Sequence, residues 1–284
     1  MKKQIITIFS LLLTVNILAQ GVDYTKADSL RVVALMKKAR TLKDKSVASY
    51  MLFFGRELRG VPYVAKTLEK NAQEKLVVNL RQLDCTTYVE TVLALSRSMV
   101  KEQQTFAGYC SNLRQIRYKN GVVSYPTRQH YFTYWIQENT RERIVANIQS
   151  PNPPFSDMQT VNADYMTTHL GSYPMLKGKP QWVRRIAGME KSITGTRPRY
   201  IPRNSVTNSS LLRRTIHNGD IIAIVTTKKG LEISHIGIAA WHKDGLHMLH
   251  ASSLCHKVVE DHNLLRTYLS KQTSALGIRI VRPL

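Results

Sequence analysis

Residues 219–284 do most to limit the fold. "GDIIAIVTT", "LEISHIGIAAW", "LHMLHAS" and "GIRIVRPL" read as strands, and the turn signals "KKG" and "KDG" separate the first three. The earlier sequence has a helical period. In "SVASYMLFFGRELRG", Val47, Met51, Phe54 and Leu58 share one face, and Gly60 and Pro62 end the run. "YTKADSLRVVALMKKARTLKDK" predicts a preceding helix capped by Asp28 or Ser29. After Cys85, a stripe of Tyr88, Val92, Leu95 and Met99 is widened by Val89, Leu93 and Val100. "TFAGYCSNLRQIR" and "HYFTYWIQENT" predict two more helices, and "NGVVSY" a short strand. Helices first and an antiparallel sheet last make the class α+β. Residues 147–215 are rich in Pro, Ser, Thr, Asn and Arg, and read as a long, partly irregular excursion.

The first residues are set apart. "MKK" followed by "IITIFSLLLTVNILA" has the form of a secretory leader, residues 1–19, cleaved near Ala19 or Gln20. The remainder, 20–284, is expected to be one catalytic domain with a helical addition at about 24–60. The expected location is the periplasm or cell envelope, as a soluble monomer with no stable membrane insertion. The formal charge is +22, from 41 Lys and Arg against 19 Asp and Glu. Such a chain meets anionic surfaces. Export and scattered basic residues argue against nucleic acid, and cell-wall peptides with free carboxylates, or anionic lipid head groups, fit better. Three cysteines, Cys85, Cys110 and Cys255, leave at least one free thiol unless a second chain pairs with it. Cys110 and Cys255 are candidates for a bridge. No pair has the spacing of a metal site.

Cys85 stands where a helix begins. Asp84, Thr86 and Thr87 suit a first turn, where unpaired peptide N–H groups favour an anion. A thiol there is expected to have a lowered pKa. A base must come from elsewhere in the chain. In "LEISHIGIAAW", Ile236 and Ile238 point to one side, and His235, Gly237 and Ala239 to the other. A hairpin through "KDG" can place His250 of "LHMLHAS" beside His235. One ring then acts as base while the other orients it.

"GVPY" (60–63), "LDCTTYVE" (83–90), "SHIGIA" (234–239) and "HAS" (250–252) together resemble the NlpC/p60 cell-wall hydrolases, which are papain-like cysteine amidases and peptidases. "IRYKNGVVSYPTRQHYFTYW" and "NGDIIAIVTTKKGLEISHIGIA" resemble the N-acetylmuramoyl-L-alanine amidase-like branch. The resemblance implies a papain-like fold, N-terminal helices packed on a C-terminal sheet. It also implies the catalytic set Cys85, His235 and His250, with the Tyr63 hydroxyl near the oxyanion. Two departures stand out. Tyr63 and Cys85 are 22 residues apart, across a "TLEKNAQEKLVVNL" insert expected to be helical, and Thr86 replaces the usual serine. The insert would reshape one wall of the cleft, which favours the amidase branch.

The expected reaction is hydrolysis of the amide between muramic acid and L-alanine, in peptidoglycan or muropeptides, through a thioester. No metal or cofactor is called for. Candidate substrate contacts are Arg117, Tyr118, Ser124, Tyr125, Arg128 and His130, with Arg128 as a fork for a stem-peptide carboxylate. The alternatives are an endopeptidase of the same fold that cuts within the stem peptide, and a non-catalytic wall-binding module.

Overall fold

The computed structural model describes residues 21–284, so the expected leader lies outside the described residues. Four helices come first: α1 (Lys26–Ala39), α2 (Val47–Glu57), α3 (Cys85–Val100) and α4 (Phe106–Arg117). The two-residue strands β1 (Val22–Asp23) and β2 (Leu76–Val77) pair in parallel. Every residue of α3 from Thr87 to Met99 is buried. That explains why its apolar residues spread beyond one stripe. Its Ser96 and Ser98 hydroxyls return their hydrogen bonds to the carbonyls of Val92 and Ala94.

After α5 (Phe132–Arg141) come β3 (Val145–Ile148), β4 (Asp157–Met158), α6 (Tyr165–Thr168), α7 (Pro180–Ile193), β5 (Arg199–Pro202) and α8 (Ser210–Thr215). The main ladder is β6 (Ile221–Thr226), β7 (Ile233–Trp241), β8 (Leu246–Ser252) and β9 (Lys257–Glu260), followed by α9 (Leu265–Ser270) and β10 (Ala275–Pro283). The sheet order is β4-β5-β10-β6-β7-β8-β9, with β3 also on β10. Its pairings are antiparallel throughout. The class is therefore α+β, helices against an antiparallel sheet.

The alternation in β7 sorts its residues as the sequence predicts. Ile236 and Ile238 join the core on the helix side, with Phe54, Val92 and Leu249. Ala239 joins a second core on the far face, with Ile222, Ile224 and Met248. Each face of the sheet thus has its own apolar layer.

Four expectations change. Thr25, rather than Asp28 or Ser29, caps α1; Asp28 is the third residue of a capping box, and its carboxylate accepts the Thr25 N–H at 3.0 Å. "NGVVSY" is not a strand: two 3₁₀ turns, Lys119–Gly121 and Tyr125–Thr127, flank it, and Asn120 and Gly121 take φ of 53° and 66°. The segment 67–80 is not a helix. It holds one 3₁₀ turn at Thr67–Glu69, and Leu76 and Val77 leave it to pair with β1. The excursion is not irregular throughout, because α7 buries Ile186, Met189 and Ile193 against Tyr131 and Met166 in a third core.

Candidate active site

The start of α3 is fixed by a reciprocal cap. The Asp84 carboxylate accepts the Thr87 N–H at 2.8 Å, and the Thr87 hydroxyl accepts the Asp84 N–H at 2.9 Å. Cys85 is consequently the first helical residue. "GVPY" is brought alongside by backbone pairing: Leu83 donates to the Pro62 carbonyl at 3.0 Å, Val64 to Leu83 at 3.1 Å and Tyr63 to His256 at 2.9 Å. Tyr63 is half-buried, and its phenol is raised by burial and then by the nearby Cys85 and Asp84.

On the sheet, β7 and β8 are joined by the turn through "KDG", in the register Ile238 opposite Leu249. That register leaves His235 and His250 on one face. Their rings meet edge to face, with His235 Nε2 2.7 Å from His250 Nδ1. His250 is fully buried, and its Nε2 points to the Asp261 carboxylate at 3.6 Å. Asp261 lies beyond β9. It is held by its own N–H to the Met248 carbonyl at 2.9 Å and by the Asn263 N–H to its carboxylate at 2.8 Å. The His250 contact holds that carboxyl well below the usual range. Asp261 was not foreseen; it follows a turn, "SLCH", that carries no glycine or proline signal.

A bulge brings sheet and helix together. Ile224 faces His235 but Val225 faces Ile233, so Ser234 is the extra residue. The strand turns there, and Leu231–Ile236 runs past Cys85. Cys85, His130, Tyr173, Glu232 and His235 line one cavity of about 210 Å³. Tyr131, Phe132, Tyr165 and Met166 complete an aromatic wall that includes part of the excursion. Glu190 of α7 pins this wall: Tyr131 Oη, Met166 N–H and Thr167 N–H donate to its Oε1 at 2.7, 3.1 and 3.1 Å. The sequence pattern marked none of Phe132, Tyr165, Met166 and Glu190 for the cleft.

The electrostatics depart from expectation. Burial pushes the Cys85 thiol up to about 11, and Asp84 adds to the effect. The amide of Ile236 and the hydroxyl and amide of Thr86 favour the thiolate without reversing the rise. Burial, with His250 beside it, pushes His235 down to about 3. Both shifts favour a neutral thiol and a neutral imidazole over the thiolate that a helix N-terminus alone predicts.

The expected substrate contacts divide sharply. His130 lines the cavity; its Nε2 donates to the Tyr125 carbonyl at 2.8 Å, and burial lowers it to about 3. Arg117 and Tyr118 are interior residues. Arg117 pairs with buried Glu90 at 2.7 Å and donates to the Val77 carbonyl; the Tyr118 hydroxyl donates to Glu74 at 2.7 Å. Arg128 is not a free fork: it is buried against Glu69 and Glu74. Its guanidinium lies over the Tyr125 ring, 4.7 Å from the centroid. Tyr125 is fully buried and stacks on Trp182. Ser124 opens the 3₁₀ turn, where its carbonyl accepts from Thr127 and Arg128. Local sequence showed the cations but not the distant carboxylates that neutralise them. Cys110 and Cys255 do not bridge: the first is buried, the second exposed, and both are free.

Residues 53–278 match the family described as AmiA-like, N-acetylmuramoyl-L-alanine amidase-like. The chain belongs to this family. Solved structures agree with an AmiA-like assignment. An N-acetylmuramoyl-L-alanine amidase from Bacteroides uniformis is 33% identical, with a TM-score of 0.77, over 84% of this chain and 98% of that one. A protein from Bacteroides fragilis, described as a proposed xylanase, is 35% identical, with a TM-score of 0.74, over 81% and 98%. A Legionella pneumophila protein of the DUF1460 family shares the fold at 23% identity and a TM-score of 0.68, over 90% and 94%. No curated protein matches the AmiA-like chain. Among its described residues, no helix is long and apolar enough to cross a membrane.

Proposed function

We propose that this AmiA-like hydrolase cleaves the amide between N-acetylmuramic acid and L-alanine, in peptidoglycan or its fragments, with Cys85 as nucleophile. The observation that carries this reading is the His235–His250 contact of 2.7 Å beside a cavity that Cys85 also lines. The shared motifs and the order Cys–His–His support placement in the NlpC/p60 superfamily, with its papain-like fold.

The charge on Asp261 assigns the protons. His250 carries its hydrogen on Nε2, toward Asp261, so its Nδ1 accepts. His235 therefore donates from Nε2 and keeps a lone pair on Nδ1. Because the resting pair is neutral, His235 takes the thiol proton as Sγ attacks the lactyl carbonyl. The oxyanion is met by the Cys85 N–H, unpaired in the first turn, and by the Tyr63 hydroxyl; one such donor is typically worth about 3 kcal/mol. Collapse expels the amine of L-alanine, which takes the proton from His235. Water, deprotonated by His235, then hydrolyses the thioester and frees the muramoyl carboxylate and the thiol.

The glycosidase description of the Bacteroides fragilis protein finds no support in this cavity. Such chemistry uses two carboxyl groups across the scissile bond. Glu232 is the one carboxylate among the residues that line it, and its Oε1 already accepts the Thr133 N–H at 2.9 Å.

Digestion of a disaccharide-tetrapeptide, read by mass spectrometry, tests the reading. Free tetrapeptide and sugar are expected from the wild type and not from Cys85→Ala. A cut inside the peptide would transfer the same residues to the endopeptidase reading, and no Cys85-dependent product would favour a binding module. Export is proposed on the leader-like residues 1–19. N-terminal sequencing of the protein from fractionated cells, expected to begin near Gln20 or Gly21, checks it.

A further inference from the structure

His235 lines two cavities, and only one of them holds the nucleophile. The second, about 160 Å³, shares Ser234 and His235 with the first but not Cys85. Lys228, Ser253, Leu254, Tyr268 and Gln272 are among the other residues that line it. The two differ in chemistry as well as in position. The cavity with Cys85 has an aromatic wall, Tyr131, Phe132, Tyr165 and Tyr173. The other presents a primary ammonium, a carboxamide and serine hydroxyls. It is close to the reacting atoms. The Tyr268 ring sits edge-on to His250, with centroids 5.5 Å apart, and 6.3 Å from the His235 ring.

Amide hydrolysis by a thiol and an imidazole imposes a direction on the substrate. The acyl group bonds to sulfur, so it lies on the cysteine side. The leaving amine must receive its proton from the imidazole, so it lies on the histidine side. We propose that the cavity formed by Lys228, Gln272, Tyr268 and Leu254 is the subsite for the departing stem peptide, and that Lys228 recognises one of its carboxylates. The acyl part, an N-acetyl sugar with apolar ring faces, then takes the aromatic-walled cavity. This rests on the amidase reading and adds the orientation of the substrate to it. It also replaces Arg128, which is committed to Glu69 and Glu74, as the carboxylate contact.

Two measurements test the proposal. The first compares kcat/KM for muramoyl-tripeptide with that for muramoyl-L-alanine, in wild type and in Lys228→Glu. The long-to-short ratio is expected to fall about tenfold in the variant. The second measures inhibition of muramoyl-tripeptide hydrolysis by free tripeptide and by free N-acetylmuramic acid. Lys228→Glu should weaken the peptide about tenfold as an inhibitor and leave the sugar acid within about twofold. A ratio and a peptide inhibition constant both within about twofold of wild type would overturn the subsite while leaving the amidase intact. Weaker inhibition by the sugar acid rather than the peptide would reverse the orientation. A wild type that releases neither tripeptide nor L-alanine from these substrates would overturn the amidase reading and this inference with it.

Discussion

Cys85 shows two local rules in opposition. The first turn of α3 offers unpaired N–H groups, yet Cys85 is half-buried beside Asp84, and desolvation wins. Alkylation should show this. The rate of Cys85 modification by iodoacetamide is expected to rise about tenfold per pH unit from 6 to 9, since the thiolate is a small fraction throughout. A flat rate below pH 7 would establish a preformed ion pair. Asp261 is a positioning residue in the proposed mechanism. Asp261→Ala frees His250 to change tautomer, and kcat should fall about 10- to 100-fold with little change in KM. Asp261→Asn, whose carbonyl can still accept from Nε2, should recover part of that loss. Arg117 answers to a different test. Replacing it with Met leaves Glu90 buried and unpaired, so unfolding in urea should show a loss of about 3–5 kcal/mol. Adding Glu90→Leu should restore more than half. The KM of the folded single variant should stay near wild type, because Arg117 faces the core rather than the cleft.

At the scale of elements, the site depends on a cap and on one glycine. Asp84→Ala removes the acceptor for Thr87 N–H, and about 1 kcal/mol of stability should go with it. Gly237 lies in β7, packed closely against β8, the strand of His250. A Cβ there would meet Met248 Cγ at 2.6 Å and the Leu249 carbonyl at 2.8 Å. Gly237→Ala should therefore push β7 from β8, costing about 1–3 kcal/mol and reducing kcat more than KM. Parts of this assembly were legible in the sequence. The alternation around His235, the "KDG" turn and the cap before Cys85 are written in contiguous residues, so β7, β8 and the start of α3 could be read. Asp261 could not, because it reaches His250 across β9 after an unmarked turn. The pairing of Arg128 with Glu69 and Glu74 depends on the path of 64–83, whose strand β2 exists only because β1 pairs with it. The four-residue spacing of Met189 and Ile193 was visible in α7, but the Pro- and Ser-rich sequence around that helix obscured it.

For the whole molecule, two half-buried histidines set the response to acid. His130 and His235 have folded values near 3, below the usual 6.5. Between those pH values the unfolded chain binds protons that the folded chain refuses. Stability is therefore full above pH 6.5 and declines as pH falls, by up to about 1.4 kcal/mol per unit for each histidine. Urea midpoints from pH 7 to pH 4 should follow that slope, and His130→Asn should remove its own share.

The position of β10 has a consequence for synthesis. It lies in the middle of the sheet, between β6 on one side and β3 and β5 on the other, although every strand it joins precedes it in the chain. A ribosome delivers residues in order. Until residue 275 and those after it emerge, β6 presents an open edge and β5 has no neighbour on that side. The nascent molecule thus carries Cys85, His235 and His250 well before it has the strand that completes their sheet. A hydrolase of this design cannot mature piecemeal. Its activity begins only when the central strand has been inserted, and a chain stopped at residue 270 should aggregate rather than act.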